Sequence, residues 1–137
     1  MIRTYDSHYR GECRREEYEQ IDSASWLQYN HPDRWPLIWH VPNELTVDKK
    51  KPGWAQHLAK RQKMGVKNGV SDIIDFGAIR GAFELKRLDR TQCKVTKEQR
   101  DFLKATDASG GFAAIVYGFE QFKLAYADYL IFVAQNS

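Results

Sequence analysis

Residues 69–87 have the sequence Gly-Val-Ser-Asp-Ile-Ile-Asp-Phe-Gly-Ala-Ile-Arg-Gly-Ala-Phe-Glu-Leu-Lys-Arg. Two short runs rich in apolar residues, 72–76 and 82–87, lie on either side of a turn bounded by Gly77 and Gly81. Short apolar runs separated by a few residues that include glycine are typical of a β-hairpin. We therefore predict that two antiparallel strands cover most of this stretch.

The predicted hairpin brings three ionisable side chains to one face of the sheet. If the turn is centred near Ala78, Asp72 pairs with Glu84, and their Cβ atoms are about 5 Å apart. Lys86 shares this face because side chains alternate along a strand. Two carboxylates at this distance repel each other unless a cation lies between them or one of them is protonated. The trio is therefore typical of a divalent-metal site, and an exposed charge ladder is the structural alternative.

The length and composition predict one globular domain without a membrane segment. The chain has 137 residues, of which 42% are hydrophobic and 13% aromatic, enough to build a single core. No apolar run approaches the length of a membrane span, and the first residues lack the apolar region of a signal peptide. We therefore expect an intracellular, cytoplasmic protein. Cys13 and Cys93 stand outside any Cys-x-x-Cys pair, which argues against a zinc knuckle or a disulfide framework.

Positive charge is concentrated in one stretch of the chain. The net charge is only +3, but residues 49–67 contain basic side chains and no carboxylate. The basic residues are Lys49, Lys50, Lys51, Lys60, Arg61, Lys63 and Lys67. A local basic stretch suits a polyanion such as DNA, and we predict that these residues form a DNA-binding surface. An ordinary solvated face is the alternative.

The rest of the chain alternates between helices and strands. Residues 1–13 are polar and aperiodic and are predicted to form a flexible arm, and residues 14–137 a single domain. The predicted elements of the domain are helices over 14–29, 53–64, 96–108 and from 119 onward, strands over 37–41 and 112–117 beside the hairpin, and a loop over 43–52. This order predicts an α/β protein with a mixed sheet.

Two of the predicted helices carry more specific signals. In the first helix, Ile21, Ala24 and Leu27 are the candidates for the inward face. The third helix opens with Thr96-Lys97-Glu98-Gln99, which matches a capping box. In that motif the threonine and glutamine side chains each accept a hydrogen bond from the other residue's backbone N–H.

Several short segments occur in an order that is specific, although each of them is weak alone. They are Glu16-x-x-x-Gln20, Val41-Pro42-Asn43, Gly69-Val70-Ser71-Asp72, Gly81-Ala82-Phe83-Glu84-Leu85-Lys86, Thr96-x-x-Gln99 and Tyr117-Gly118. In this order they resemble the PD-(D/E)XK nuclease superfamily and, within it, the VRR-NUC family, especially the small stand-alone members found in bacteriophages. The resemblance covers residues 14–130. Ser71 is a departure, because the family usually has proline before the catalytic aspartate.

The resemblance implies a restriction-endonuclease-like core of the order αβββαβ, in which helices flank a mixed central sheet. It also implies a metal-dependent DNA endonuclease that hydrolyses phosphodiester bonds. Mg²⁺ or Mn²⁺, which prefer oxygen ligands, would be held by Glu16, Asp72, Glu84 and the Leu85 carbonyl. The catalytic residues would be Asp72, Glu84, Lys86 and Gln99, with the glutamine steadying the lysine or the attacking water.

Three of these assignments have rivals in the sequence. Glu17 is an alternative to Glu16 as the ligand on the first helix, and Asp75 is an alternative to Asp72 as the acid on the hairpin. Gln99 could serve only as the cap of its helix.

The partner that the resemblance implies is DNA, in particular branched DNA such as a Holliday junction, in the host cytoplasm if the protein is phage-encoded. A four-way junction has two-fold symmetry, so a homodimer would place two active sites on symmetric strands. Tyr126, Tyr129 and Phe132 are a candidate dimer patch, and a place in the core is their alternative. The other functions we consider are a nickase or exonuclease, and a DNA-binding module without catalysis.

Overall fold

The computed structural model describes residues 1–42 and 47–137. Its strands are β1 (Arg3–Tyr5), β2 (Ile38–His40), β3 (Ile73–Asp75), β4 (Gly81–Lys86) and β5 (Phe112–Tyr117). They form one sheet with the order β1-β5-β4-β3-β2. β1, β5 and β4 run parallel to one another, whereas β3 is antiparallel to both β4 and β2. The predicted mixed sheet is confirmed.

The described residues include four helices, and the first, third and fourth of them pack on this sheet. They are α1 (Glu16–Asn30), α2 (Trp54–Lys63), α3 (Lys97–Ala108) and α4 (Phe119–Gln135), with short 3₁₀ turns at Trp35–Leu37 and Arg90–Gln92. The predicted αβββαβ core corresponds to α1, β2, β3, β4, α3 and β5, and α2 is inserted between β2 and β3. Asn43 and the beginning of the predicted 43–52 loop lie outside the described residues. No helix in the described parts of the chain is long and apolar enough to cross a membrane.

The hairpin of β3 and β4 has the predicted register. Ile73 pairs with Phe83 and Asp75 with Gly81, so the turn is centred on Ala78. The strands differ slightly from the prediction, because β3 begins one residue after Asp72. The glycines at the turn and the alternation of the flanking residues are local features, and they are sufficient to set this pairing.

The two faces of the sheet are covered by different helices. Phe83 and Leu85 of β4 belong to a core that is completed by α1 and α4. Ala82 belongs to the second core, on the side of α3. Because side chains alternate, Glu84 and Lys86 also point to the α3 side. β4 and β5 are buried along their whole length, as the apolar run 112–117 predicts for a central strand.

The N-terminal residues 1–13, predicted as a flexible arm, are part of the fold. β1 lies at the sheet edge and pairs with β5. The Tyr5 hydroxyl donates to the Asp128 carboxylate at 2.8 Å, and the Gly11 N–H donates to Asp89 Oδ2 at 2.9 Å. The prediction missed β1 because a three-residue polar strand has no alternation of apolar residues that the sequence could reveal. β1 is held by partners that lie far along the chain, in β5 and α4.

The inward face of α1 also differs from the prediction. Leu27 is fully buried as expected, but Ile21 is 58% exposed. Glu19 takes an inward position instead and accepts hydrogen bonds from Arg14 Nε at 2.7 Å and from the Phe119 N–H at 2.9 Å. The second bond joins α1 to the positive N-terminus of α4. These polar contacts fix the rotation of α1, and a count of apolar residues cannot detect them.

Candidate active site

Asp72 and Glu84 form a carboxylate pair on the α3 side of the sheet. The register places them opposite each other, one position beyond the pair of Ile73 and Phe83. Asp72 Oδ2 accepts a hydrogen bond from the Leu85 N–H at 2.8 Å. Glu84 is fully buried, and its two carboxylate oxygens accept no hydrogen bond from the described residues unless Glu84 shares a proton with Asp72. An unpartnered buried acceptor costs about 1–3 kcal/mol, and more when it is charged, so this pair calls for a proton or a cation.

Lys86 places its ammonium group beside this pair. Lys86 Nζ lies 3.4 Å from Glu84 Oε1, which is an ion-pair distance, and the lysine side chain is only 7% exposed. The same nitrogen donates a hydrogen bond to Gln99 Oε1 at 3.2 Å. One cation next to two carboxyl groups cannot neutralise both of them. A doubly ionised pair would therefore retain a net negative charge.

Gln99 makes the contacts of a helix cap and also contacts Lys86. Its side-chain oxygen accepts from the Thr96 N–H at 2.9 Å, and its own N–H donates to Thr96 Oγ1 at 3.2 Å, which confirms the capping box. The same oxygen accepts from Lys86 Nζ. The helix cap thus fixes the position of the oxygen that contacts Lys86, and a catalytic role for Gln99 stays a prediction.

Burial and mutual repulsion control the ionisation of the carboxyl groups. Burial raises the pKa of Glu84, and the neighbouring charge of Asp72 raises it further. Burial also raises the pKa of Asp72, although the hydrogen bond from Leu85 opposes this effect. Without a bound cation the pair therefore retains a proton more readily than ordinary carboxyl groups do.

The glutamates at the start of α1 have separate surroundings. Burial and the charge of Asp72 raise the pKa of Glu16, and the charges of Lys86 and Arg87 oppose this shift, so Glu16 lies within electrostatic range of the candidate site. Glu17 is exposed and lies 3.9 Å from Arg15. Glu16 is therefore the better placed of the two rivals, and its role as a ligand stays a prediction.

Backbone contacts hold the segment that carries Asp72. The Asp72 carbonyl accepts from the Val41 N–H at 3.1 Å and lies 2.8 Å from His40 Nδ1. Gly69 has φ +94°, and a Cβ atom there would lie 2.5–2.6 Å from the backbone of Glu98 in α3. Only glycine allows this close approach. His40 has no motif in the sequence, and its contact with Asp72 depends on the pairing of β2 with β3.

Ser71 stands where the resemblance leads us to expect proline. Its side chain is fully buried, and its hydroxyl has no hydrogen-bond partner among the residues that the structure describes. The hydroxyl therefore contributes no contact that a proline ring would lose.

Arg87 is a further residue that the sequence did not single out. Its guanidinium donates to the Cys13 carbonyl at 2.8 Å and to the Arg14 carbonyl at 3.1 Å. These carbonyls lie just before α1. Arg87 therefore ties the end of β4 to the start of the helix that carries Glu16.

Asp75, the rival of Asp72, lies on the opposite face of the sheet. Its carboxylate is fully buried and accepts from Arg34 Nη2 at 2.8 Å, from Arg34 Nε at 2.9 Å and from the Tyr126 hydroxyl at 2.7 Å. The Gly77 N–H donates a further bond at 2.9 Å. All of these partners belong to the fold, so Asp75 is a structural residue.

The predicted dimer patch lies mainly in the same core. Tyr126 and Tyr129 are almost fully buried, and Tyr129 donates a hydrogen bond to the Ile79 carbonyl at 2.6 Å. Phe132 is partly buried and packs against this core. The tyrosines therefore support the core alternative and offer no surface to a second copy.

The chemistry of the site suits a hard cation, although its ligands are not gathered into a cluster. In the described parts of the chain, no group of three or more His, Cys, Asp or Glu side chains is placed to hold a metal ion. The preformed element is the pair of Asp72 and Glu84, with two carboxylate oxygens that lack a hydrogen-bond partner. Oxygen donors of this kind fit Mg²⁺ or Mn²⁺.

The basic residues predicted to bind DNA lie on α2 and on either side of it. Six of them are exposed and one is half-buried: Lys49, Lys50, Lys51, Lys60, Lys63 and Lys67, and Arg61. α2 itself has no buried residue. Lys67 lines the same groove as Val41, whose N–H contacts Asp72. One end of the basic stretch is therefore close to the candidate site.

The double contact of Gln99 predicts how Gln99→Glu behaves. Glutamate keeps the oxygen acceptor for Thr96 and suits the positive end of α3, so the melting temperature should be unchanged. The new charge beside Lys86 should hold the ammonium in an ion pair and lower the DNA cleavage rate about tenfold or more, which corresponds to about 1.4 kcal/mol. Melting curves and initial rates check both parts.

Glu98→Gln is the matched control, because it changes the charge of the neighbouring exposed residue in the opposite direction. It should leave the rate unchanged. A wild-type rate in Gln99→Glu would reduce Gln99 to a helix cap.

The fold is similar to that of a solved structure. A solved structure described as a VRR_NUC domain protein superposes with a TM-score of 0.69, and the match covers 88% of this chain and 92% of that chain at 19% sequence identity. The chain therefore has a VRR_NUC-type fold, and the predicted fold class is confirmed. A scan against protein-family models and a search of curated proteins find no match.

Proposed function

We propose that the protein is a metal-dependent DNA endonuclease. The observation that supports this most is the fully buried Glu84, whose carboxylate lies beside Asp72 and has an ion pair with Lys86 but no hydrogen bond from the described residues. The second support is the VRR_NUC-type fold, for which the match covers 88% of the chain. A binding module has no need for a buried carboxylate pair, which raises the free energy of the fold unless a ligand satisfies it. The site therefore favours catalysis over DNA binding alone.

The proposed roles follow from the surroundings of each residue. Glu16, Asp72, Glu84 and the Leu85 carbonyl would hold Mg²⁺ or Mn²⁺. When bound, such an ion supplies a Lewis acid for the phosphate and lowers the pKa of a coordinated water. The Lys86 ammonium would bind a phosphate oxygen and stabilise the negative charge that develops there. Gln99, held by its cap, would orient that ammonium.

Branched DNA is the proposed substrate, and a homodimer the proposed assembly. A four-way junction presents two equivalent strands, which two copies related by a two-fold axis can reach together. Because Tyr126 and Tyr129 are in the core, such a dimer would use another surface.

A panel of labelled DNA tests this proposal. Linear, nicked, flapped and four-way DNA should be incubated with the protein in Mg²⁺, in Mn²⁺ and in EDTA. We expect cleavage only with metal and fastest on the branched forms. Cleavage of linear DNA at the same rate as branched DNA would favour an exonuclease. Cleavage of only one strand of each duplex would favour a nickase. Binding without cleavage in either metal would contradict the proposal and favour the inert module.

The basic stretch predicts a salt-dependent part of DNA binding. Reversal of Lys49, Lys50 and Lys51 to glutamate should weaken binding and flatten its dependence on salt, because each lost phosphate contact lowers the slope of log K against log salt by roughly 0.9. Affinities measured between low and moderate salt check this. Lys104→Glu, at an exposed lysine of α3 outside the stretch, reports the effect of net charge alone. An unchanged slope would identify the stretch as a solvated face.

A further inference from the structure

An exposed tryptophan lies on the same face of the sheet as the carboxylate pair. Trp39 of β2 pairs with Ile74 of β3. Its neighbour Ile38 is buried in the core on the α1 and α4 side, so alternation turns Trp39 to the α3 side. That is the side of Asp72 and Glu84. Trp39 is nevertheless 62% exposed, which is unusual for a tryptophan in a sheet.

The position of Trp39 relative to Asp72 follows from the strand pairing. The Val41 N–H donates to the backbone carbonyl of Asp72 at 3.1 Å, and Trp39 lies two residues before Val41 in the chain. Two residues of a strand span about 7 Å, and neighbouring strands are about 5 Å apart. Stacked nucleotides follow one another at about 3.4 Å along one strand. A phosphate bound at the carboxylate pair would thus lie one to a few nucleotides from the indole.

Two further exposed apolar side chains continue this line away from the acids. The Phe76 N–H donates to the Leu37 carbonyl at 2.9 Å, which extends the pairing of β2 with β3 by one step. Phe76 is 50% exposed and Leu37 is 42% exposed. We call Leu37, Trp39 and Phe76 the apolar strip. Exposed apolar side chains grouped beside a polar site form a candidate contact surface for another molecule.

We propose that Trp39 stacks on a nucleobase of the substrate that is unpaired or at the end of a base stack, next to the scissile phosphate. The inference rests on the proposed nuclease function and deepens it. Two observations favour DNA over a second copy of the chain. The strip lies on the same face of the sheet as Asp72, Glu84 and Lys86, the proposed cleavage site. The basic stretch of residues 49–67 ends at the groove that Lys67 lines together with Glu98 and Asp101, and the excess of positive charge along the stretch attracts a polyanion.

The same geometry specifies a class of DNA. Inside a continuous duplex both faces of each base are covered by its neighbours. A base offers a free face to an indole only at an end, a nick, a flap or a branch point. Stacking on Trp39 therefore selects DNA with an interrupted stack, and supplies a physical reason for a preference for branched substrates. Stacking of a base on an aromatic side chain contributes about 1–3 kcal/mol.

The test combines a protein variant with a DNA variant. Binding of a fluorescein-labelled flapped duplex is measured without divalent metal for wild type and Trp39→Ala. The same duplex is then prepared with abasic sites at the nucleotides around the branch. Trp39→Ala should lower the affinity for the intact flap about tenfold, within the 1–3 kcal/mol range of stacking. The abasic sites should lower wild-type affinity similarly and have no further effect on Trp39→Ala. Trp39→Phe should retain most of the affinity.

Tyr29→Ala is the matched control, because Tyr29 is an exposed aromatic residue at the end of α1. It should bind every duplex as wild type does. The inference would be overturned if Trp39→Ala lost the same affinity on intact and on abasic DNA. It would also be overturned if Trp39→Ala sedimented as a monomer where the wild type is a dimer, with the dependence of binding on the bases unchanged. Cleavage of the flap by wild type in Mn²⁺ is measured in parallel. Absence of cleavage with an intact stacking effect would reject the nuclease function and leave the stacking site standing.

Discussion

Asp72→Asn should lower DNA cleavage by about a thousandfold or more and leave the metal-free protein as stable as wild type, or more stable. The loss of rate corresponds to about 4 kcal/mol of transition-state stabilisation, which is the scale for removal of a principal electrostatic group. The gain in stability follows because the substitution removes one charge from a buried pair. Asparagine keeps an oxygen that can accept from the Leu85 N–H, whereas alanine would leave that N–H without its partner.

The pH dependence of stability gives this prediction a second measurement. Burial raises the pKa of Glu84 and of Asp72 above their unfolded values near 4, so the folded state binds more protons than the unfolded state. These groups therefore destabilise the metal-free fold increasingly as the pH rises above about 4, toward the raised pKa values of the folded state. The fall should be smaller in Asp72→Asn. Chemical denaturation at pH 5 and at pH 8 measures the difference. An Asp72→Asn protein that cuts DNA at the wild-type rate would falsify the assignment of the site.

Asp75→Asn should have the opposite effects, although Asp75 is only three residues away. It should destabilise the fold by about 3–5 kcal/mol and leave the activity of each folded molecule unchanged. The reason is that Arg34 forms two hydrogen bonds to the Asp75 carboxylate and is only 20% exposed. Loss of the carboxylate charge leaves a largely buried guanidinium without its counter-ion, and the Tyr126 hydroxyl loses a charged acceptor.

Urea denaturation measures the loss of stability, and cleavage rates corrected for the folded fraction measure activity. Asp72→Asn is the matched control, since it makes the same chemical change on the other face of the same segment. If Asp75→Asn kept wild-type stability and lost its activity, Asp75 would be the active-site acid and Asp72 the structural residue.

The candidate site was largely predictable because its elements are close in the sequence. The glycines of the hairpin and the alternation around Glu84 set the register, and the register sets Asp72 opposite Glu84. The capping box was equally predictable from the sequence, because Thr96 and Gln99 are three residues apart. The contact between Gln99 and Lys86 depends on how α3 packs on the sheet, so the sequence could only leave both roles open.

Features that depend on distant partners were not predictable in this way. β1 has no apolar alternation, and its hydrogen bonds come from β5. The choice between Asp72 and Asp75 depends on Arg34, which reaches Asp75 from the α1 side. The rotation of α1, which turns Glu16 inward and Ile21 outward, depends on the contact of Glu19 with the start of α4. Each of these is set by tertiary structure rather than by a local pattern.

The central claim is that Asp72 and Glu84 form a site for a divalent cation. Titration calorimetry of Mn²⁺ into the wild type and into Glu84→Gln at neutral pH, without DNA, tests it most directly. Because the pKa of Glu84 is raised, binding should displace a proton, and the measured heat should change with the ionisation enthalpy of the buffer. We expect binding with proton release in the wild type and neither in Glu84→Gln. Binding of the same strength in both proteins, or none in the wild type, would contradict the claim.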